Sequence, residues 1–156
     1  LNLDEAERID LTIDGADEFD PYMQLIKGGG GALLREKVLA FNTEVNLIIV
    51  DSSKEVQRLG AFPLPVEVVP FALSTVVEAL EDGGLHPELR EKDGDAFITE
   101  NGNYIVDMDI TSISNLMRLE DELKHIPGVV ETGLFLDTTD IIIVARGEEV
   151  EVIERH

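Results

Sequence analysis

The 156-residue chain carries 12 Lys and Arg against 33 Asp and Glu, a formal net charge of −21 at pH 7. A phosphate backbone has to be met by a basic face, so nucleic acid is excluded as the principal partner. Disorder often accompanies such charge, but 44% of the residues are hydrophobic, and a soluble globular unit of about one domain's length is expected.

Ile9, Leu11 and Ile13 alternate with Asp10, Thr12 and Asp14, which predicts a strand ending at Asp14. The loop Asp14-Gly15-Ala16-Asp17-Glu18 follows. After the turn signal Asp20-Pro21 come Lys27 and the run Gly28 to Gly31, then a predicted helix from about Ala32 to Asn42 with a buried stripe of Leu34, Val38 and Phe41. Leu47 to Val50 is a continuous apolar run, as in a strand buried on both faces of a parallel sheet. Asp51-Ser52-Ser53 then reads as a helix N-cap with Lys54 in the first turn.

Pro63, Pro65 and Pro70 mark a boundary. Beyond them a strand near Val66 to Val69, a helix near Ala72 to Asp82 and an extended piece at Pro87 to Glu91 are expected. A hairpin of Phe97 to Glu100 and Tyr104 to Asp109 turns at Asn101-Gly102. Leu116, Leu119, Leu123 and Ile126 give a helix capped by Ser114 and stopped by Pro127-Gly128, and Val129 to Phe135 is the next strand. This β-α-β-β-α-β order suggests a ferredoxin-like lobe. A hairpin of Ile141 to Ala145 and Val150 to Ile153 closes the chain. The fold class is therefore α/β: a Rossmann-like parallel-sheet domain over 1–62 and 136–156, with an inserted ferredoxin-like α+β lobe over 63–135. Ligands of such sheets bind at the carboxyl ends of strands.

Four consecutive glycines cost backbone entropy and add no packing, so they are kept where a ligand or another backbone comes close. At a helix N-terminus they offer N–H donors to an anion or oxyanion; a flexible hinge is the plainer alternative. No Gly-Lys-Ser/Thr closes the run, and Leu33 stands at the third glycine position of a dinucleotide fingerprint, so nucleotide binding loses most of its support. The carboxylates of Asp14, Asp17 and Glu18 suit a metal, sugar hydroxyls or proton transfer, or are a solvated acidic turn. His86, His125 and His156 are too scattered to join them as metal ligands. Lys27, Arg35, Lys37 and Lys54 are four of only 12 cations and lie near these loops, which points to a phosphorylated or carboxylated small molecule. Charge pairing on the helix explains Arg35 and Lys37 equally well.

Together, Asp14 to Glu18, Lys27 to Lys37, Asp51 to Lys54, Phe62-Pro63-Leu64-Pro65-Val66-Glu67-Val68 and Ile126 to Phe135 resemble ribose-5-phosphate isomerase type A, in order and over nearly the whole chain. The resemblance implies interconversion of ribose 5-phosphate and ribulose 5-phosphate through an enediolate, in the pentose phosphate pathway, with no metal or organic cofactor. It implies Glu36 as the base between C1 and C2 and Asp14 in ring opening. Lys27 and the amides of Gly28, Gly29 and Gly30 would meet the oxyanion. Asp17, with the Gly15-Ala16 backbone, would bind the sugar, and Lys54 would contact the substrate. It also implies a homo-oligomer, a dimer or tetramer. A sugar-phosphate sensor and a CoA-transferase-like enzyme on related folds are the alternative readings.

The family's N-terminal strand and Thr/Ser/Gly phosphate loop have no counterpart before Asp14, and the chain opens on Leu1 rather than Met. It therefore reads as a processed, trimmed or partial chain whose parallel sheet is incomplete at its N-terminus and whose activity alone is in doubt. The chain has no Cys, no apolar run near the roughly 18 residues of a membrane span and no signal-peptide pattern, so the cytoplasm, without membrane partners, is the expected location. A charge of this size repels itself, and salt relieves the repulsion; adaptation to high salt is one reading. On that reading the denaturation midpoint rises with added KCl, and a midpoint that does not move with KCl contradicts it.

Overall fold

The apolar-polar alternation over Ile9–Asp14 does form a strand, β1. In the computed structural model, which describes residues 3–156, it opens a series of 16 strands and α-helices; Leu1 and Asn2, at the start of the first expected segment, lie outside the described residues. β2 (Glu18–Phe19) and β3 (Leu25–Ile26) lead to helix α1 (Leu33–Phe41) and the long strand β4 (Thr43–Asp51). β5 (Leu64–Val68), α2 (Leu73–Asp82), β6 (Glu88–Leu89), β7 (Glu91–Lys92), β8 (Asp95–Ala96) and β9 (Tyr104–Met108) follow. The chain ends with α3 (Leu116–Lys124), β10 (Val129–Thr132), β11 (Leu134–Phe135), β12 (Ile141–Arg146) and β13 (Glu149–Glu154).

β1, β4 and β12 run parallel in the order β1-β4-β12, and β13 adds an antiparallel edge. One face of this sheet is buried: Ile48, Val50, Ile142 and Val144 pack with Phe19, Leu25 and Phe135. On the other face Leu11, Ile13, Ile49, Val150 and Val152 are about half exposed or more. The expectation that β4 is buried on both faces is thus corrected. Ile49, in register with Ile143, is half exposed on that side.

A second sheet has the order β10-β5-β9-β6 with every pair antiparallel. Numbered by appearance its strands run 4-1-3-2, the ferredoxin-like order, with Val66, Val68, Val76, Leu80, Leu119 and Leu123 in its core. Gly133 separates β10 from β11, which crosses to a third sheet, β11-β3-β2. There the Gly133 N–H donates to Pro65 O (2.8 Å) and its carbonyl accepts from Lys27 N (2.9 Å). A side chain at 133 would collide with both of these backbones.

Four local expectations are corrected. The α1 stripe is reversed: Leu33 is fully buried while Phe41 is 83% exposed and Val38 and Leu39 are exposed, because the helix turns Glu36 and Lys37 inward. No α-helix follows Asp51, whose carboxylate accepts from Ser53 N (2.8 Å) but caps only a 3-10 turn, Ser52–Lys54. Asn115, not Ser114, caps α3, accepting from Arg118 N (3.0 Å). The hairpin is β7-β8 around Asp93-Gly94, both at positive φ, whereas Phe97 to Glu100 makes only an isolated bridge. No described helix is long and apolar enough to cross a membrane.

Burial decides the cost of truncation. Leu123→Ala is expected to lower unfolding free energy by about 2–5 kcal/mol, whereas Met117→Ala, on the exposed side of the same helix, should stay within about 0.5 kcal/mol. Urea denaturation of both variants checks this.

Candidate active site

Parallel pairing of β1 with β4 puts Asp14 at the carboxyl end of the sheet, and β3 delivers Lys27 to the same end. The Lys27 side chain is only 5% exposed. Its ammonium donates to the carbonyl of Gly15 and lies 3.0 Å from Asp14 Oδ2 and 3.7 Å from Glu36 Oε1. Asp14 Oδ1 accepts from the Gly15 N–H (2.8 Å), and the Phe135 ring lies 5.6 Å from the ammonium. Three elements distant in sequence therefore meet at one cation.

The glycine run turns tightly, Gly31 N donating to Gly28 O (3.0 Å), and enters α1 at Ala32, which supplies no side-chain cap. The Gly29 N–H donates to Asp17 Oδ2 (2.7 Å), and a side chain at 29 would sit 2.6 Å from Asp17 Oδ1. Asp14, Gly15, Ala16, Asp17, Lys27, Gly28, Gly29, Gly30 and Glu36 together wall an open cleft of about 230 Å³. Nine of the ten residues expected at the site are brought together.

Lys54 is the tenth. It lies in the turn after β4, at the same end of the sheet, but lines neither of the two cavities beside Glu36. Arg35 points to Glu100 and Asn101. Lys37 lies 2.9 Å from Glu131 and 3.2 Å from Glu120, donates to Thr132 O (2.7 Å), and stands 4.8 Å from the Phe135 ring. Neither cation lines the cleft.

Glu36 is three-quarters buried, and its Oε2 has no partner among the described residues. Burial raises its pKa above the ordinary carboxylate value; Lys27 pulls it down, while Asp14 and Asp17 push it up again. A carboxylate so placed can accept a proton nearer neutral pH. Glu131 goes the other way. Burial pushes it up, but Lys37, the Thr132 N–H and Lys124 outweigh that and leave it lowered.

Two contacts lay beyond the sequence reading. Arg90 donates to Gly28 O (2.8 Å) and Gly29 O (3.1 Å), and the buried Glu18 accepts from Gly60 N and Phe62 N (2.8 and 2.6 Å). The only available signal was that Arg90 is one of few cations, and its position between two short strands says nothing of its target. Among the described residues no three His, Cys, Asp or Glu side chains converge in a way that would hold a metal ion.

Residues 1–149 match the family model for ribose 5-phosphate isomerase A (phosphoriboisomerase A). The chain belongs to the ribose 5-phosphate isomerase A family. It is 48% identical over 153 residues to ribose-5-phosphate isomerase A of Streptococcus gordonii, covering 98% of this chain and 68% of that one. It is 48% identical to the Ruegeria pomeroyi enzyme, covering 95% and 59%. Among solved structures, ribose 5-phosphate isomerase A from Methanocaldococcus jannaschii superposes with a TM-score of 0.92 at 39% identity, over 99% of this chain and 69% of that one. A D-ribose-5-phosphate isomerase in complex with phospho-erythronic acid gives 0.94 at 40%, with the same coverage. The chain thus spans about six to seven tenths of the length of these family members.

Lys37 ties α1 to β10 and α3 of the ferredoxin-like sheet, and removing it strands two carboxylates with Lys124 alone. Lys37→Met is expected to cost about 3 kcal/mol or more at neutral pH. Because the folded-state pKa of Glu131 is lowered, this contribution is present above the ordinary value of about 4.3 and is lost as pH falls through the folded value. The gap between wild type and variant in urea denaturation should therefore narrow in acid.

Proposed function

We propose that the full-length protein carrying this chain interconverts D-ribose 5-phosphate and D-ribulose 5-phosphate, with Glu36 as the base. The observation that carries the reading is the half-engaged Glu36 carboxylate. One oxygen faces Lys27 and the other is buried without a partner, at the edge of a cleft walled by glycine amides and two aspartates. The family match supports the same assignment.

In the open-chain aldose, Glu36 takes the proton from C2. The C2–H electron pair forms the C1–C2 double bond, and negative charge moves to O1. The Lys27 ammonium and the amide donors of the glycine run stabilise that charge, as donors aimed at an oxyanion do. A proton passes from the C2 hydroxyl to O1, and Glu36 returns its proton to C1, leaving the carbonyl at C2. Asp14, already paired with Lys27, would assist ring opening. Asp17 retains an oxygen for sugar hydroxyls beyond the one held by Gly29. Lys54 would contact the substrate from the turn after β4, at the same end of the sheet.

The titration of Glu36 sets the pH dependence. Below its folded pKa the carboxyl holds a proton and cannot accept another, so kcat falls on the acid side. Because burial raises that pKa, the acid limb should lie above the ordinary value of about 4.3. Glu36→Gln in the full-length protein should remove this limb and lower kcat by on the order of 10²–10⁴-fold. Binding of phospho-erythronic acid, measured by calorimetry, should persist. Undiminished exchange of the C2 proton with solvent in that variant would falsify the assignment.

A further inference from the structure

The glycine run is held from behind by one side chain of the ferredoxin-like sheet. Arg90 follows β6, with its N–H bonded to Ile105 O and its carbonyl to Phe97 N, both at 2.8 Å. Asp107 on β9 grips the guanidinium through two parallel bonds, Nε to Oδ2 (2.8 Å) and Nη2 to Oδ1 (2.6 Å), and the Phe97 ring lies 5.8 Å from its centre. That bidentate grip leaves Nη1 a set direction. Nη1 donates to both Gly28 O (2.8 Å) and Gly29 O (3.1 Å).

In a trans peptide the C=O and N–H lie in one plane and point in opposite directions within it. Holding the Gly28 carbonyl on Arg90 therefore turns the Gly29 N–H away, onto Asp17 Oδ2. Holding the Gly29 carbonyl turns the Gly30 N–H away from Arg90 as well, and Gly28 to Gly30 wall the cleft, which Arg90 does not line. There a side chain at Gly30 would meet nothing within 4 Å, and the Gly30 N–H has no protein acceptor among the described residues. Glycine peptides rotate readily, and a flipped 29–30 peptide would present a carbonyl to an oxyanion instead of a donor.

We propose that Arg90, locked by Asp107, is a positioning residue that sets the direction of the Gly29 and Gly30 amides, so that the Gly30 N–H stands ready for the negative charge that develops on the sugar oxygen. This rests on the isomerase reading above. A donor oriented before the reaction costs no reorganisation during it, so the effect falls on the transition state more than on substrate binding. Lysine cannot replace the guanidinium, since one ammonium does not hold the Asp107 fork and two carbonyls in one plane.

The test uses the full-length protein. Arg90→Ala and Arg90→Lys should each lower kcat by on the order of 10²-fold with KM little changed. Both should weaken phospho-erythronic acid, whose carboxylate resembles the charged intermediate. Added guanidinium, too dilute to unfold the protein, should restore part of the kcat of Arg90→Ala. An Arg90→Ala protein with wild-type kcat, or one whose loss does not respond to guanidinium, overturns the proposal. If Arg90→Ala does not fold, Asp107→Asn takes its place, since it keeps the guanidinium but loosens its grip; a fall in kcat at constant KM supports the role and wild-type kcat overturns it. If wild type shows no turnover, the isomerase reading itself fails. The positioning role is then read from the amide nitrogen and proton chemical shifts of Gly29 and Gly30, which should move in the Asp107→Asn protein; unmoved shifts overturn it.

Discussion

Burying the ammonium of Lys27 obliges the chain to bring oxygen acceptors from three separate elements to one point. An unpaired buried charge costs several kcal/mol even after relaxation, so the carbonyl of Gly15, the carboxylate of Asp14 and the carboxylate of Glu36 must all converge on it. Those three residues come from the end of β1, the turn after it and the first turn of α1. Their meeting fixes where the helix begins relative to the sheet, and hence where the glycine run must turn. The backbone of Lys27 is tied in addition to Gly133, the point at which the chain crosses between sheets. Sheet, helix and lobe are thereby referred to one cation.

A second, largely buried cation near the same Phe135 ring does the same work. Lys27 and Lys37 lie 5.6 and 4.8 Å from its centroid, and each neutralises a pair of carboxylates. The inward face of α1 therefore carries Glu36 and Lys37, with Leu33 alone deeply buried. This is an economical arrangement in a chain at −21, where two interior cations allow four acidic groups to approach one another. It also explains the opposite behaviour of two largely buried glutamates. Burial pushes both up; Glu36, with Lys27 at 3.7 Å and two further carboxylates nearby, stays raised, whereas Lys37 at 2.9 Å and a backbone donor bring Glu131 down.

Where sequence reasoning failed, the cause was tertiary in each case. The Leu34, Val38 and Phe41 stripe follows the helical period, but period alone does not say which stripe faces the sheet; here the charged one does, because Glu36 has a cation to meet. Leu47 to Val50 has the composition of a doubly buried strand, yet burial depends on what lies over each face, and one face of this sheet is left open among the described residues. Asp51 makes the cap bond expected of it, but Glu55 at once bridges to Phe19, so the turn cannot propagate into a helix. At Asn101-Gly102 the turn exists, but β9 pairs with β5 and β6 and leaves Phe97 to Glu100 outside the ladder.

The sequence by itself determined the local chemistry of this protein: a strand ending in Asp14, a glycine run opening a helix that bears Glu36, and the strand-helix order of a ferredoxin-like lobe. These are legible because spacing, turn chemistry and glycine conformational freedom act over a few residues. Only the tertiary structure decided which charges meet: Lys27 with Asp14 and Glu36, Lys37 with Glu120 and Glu131, and Arg90 with the carbonyls of Gly28 and Gly29, 62 and 61 residues away. Those pairings depend on which faces the sheets present to one another. A long charged side chain carries no mark of its partner until burial removes the water that would otherwise serve.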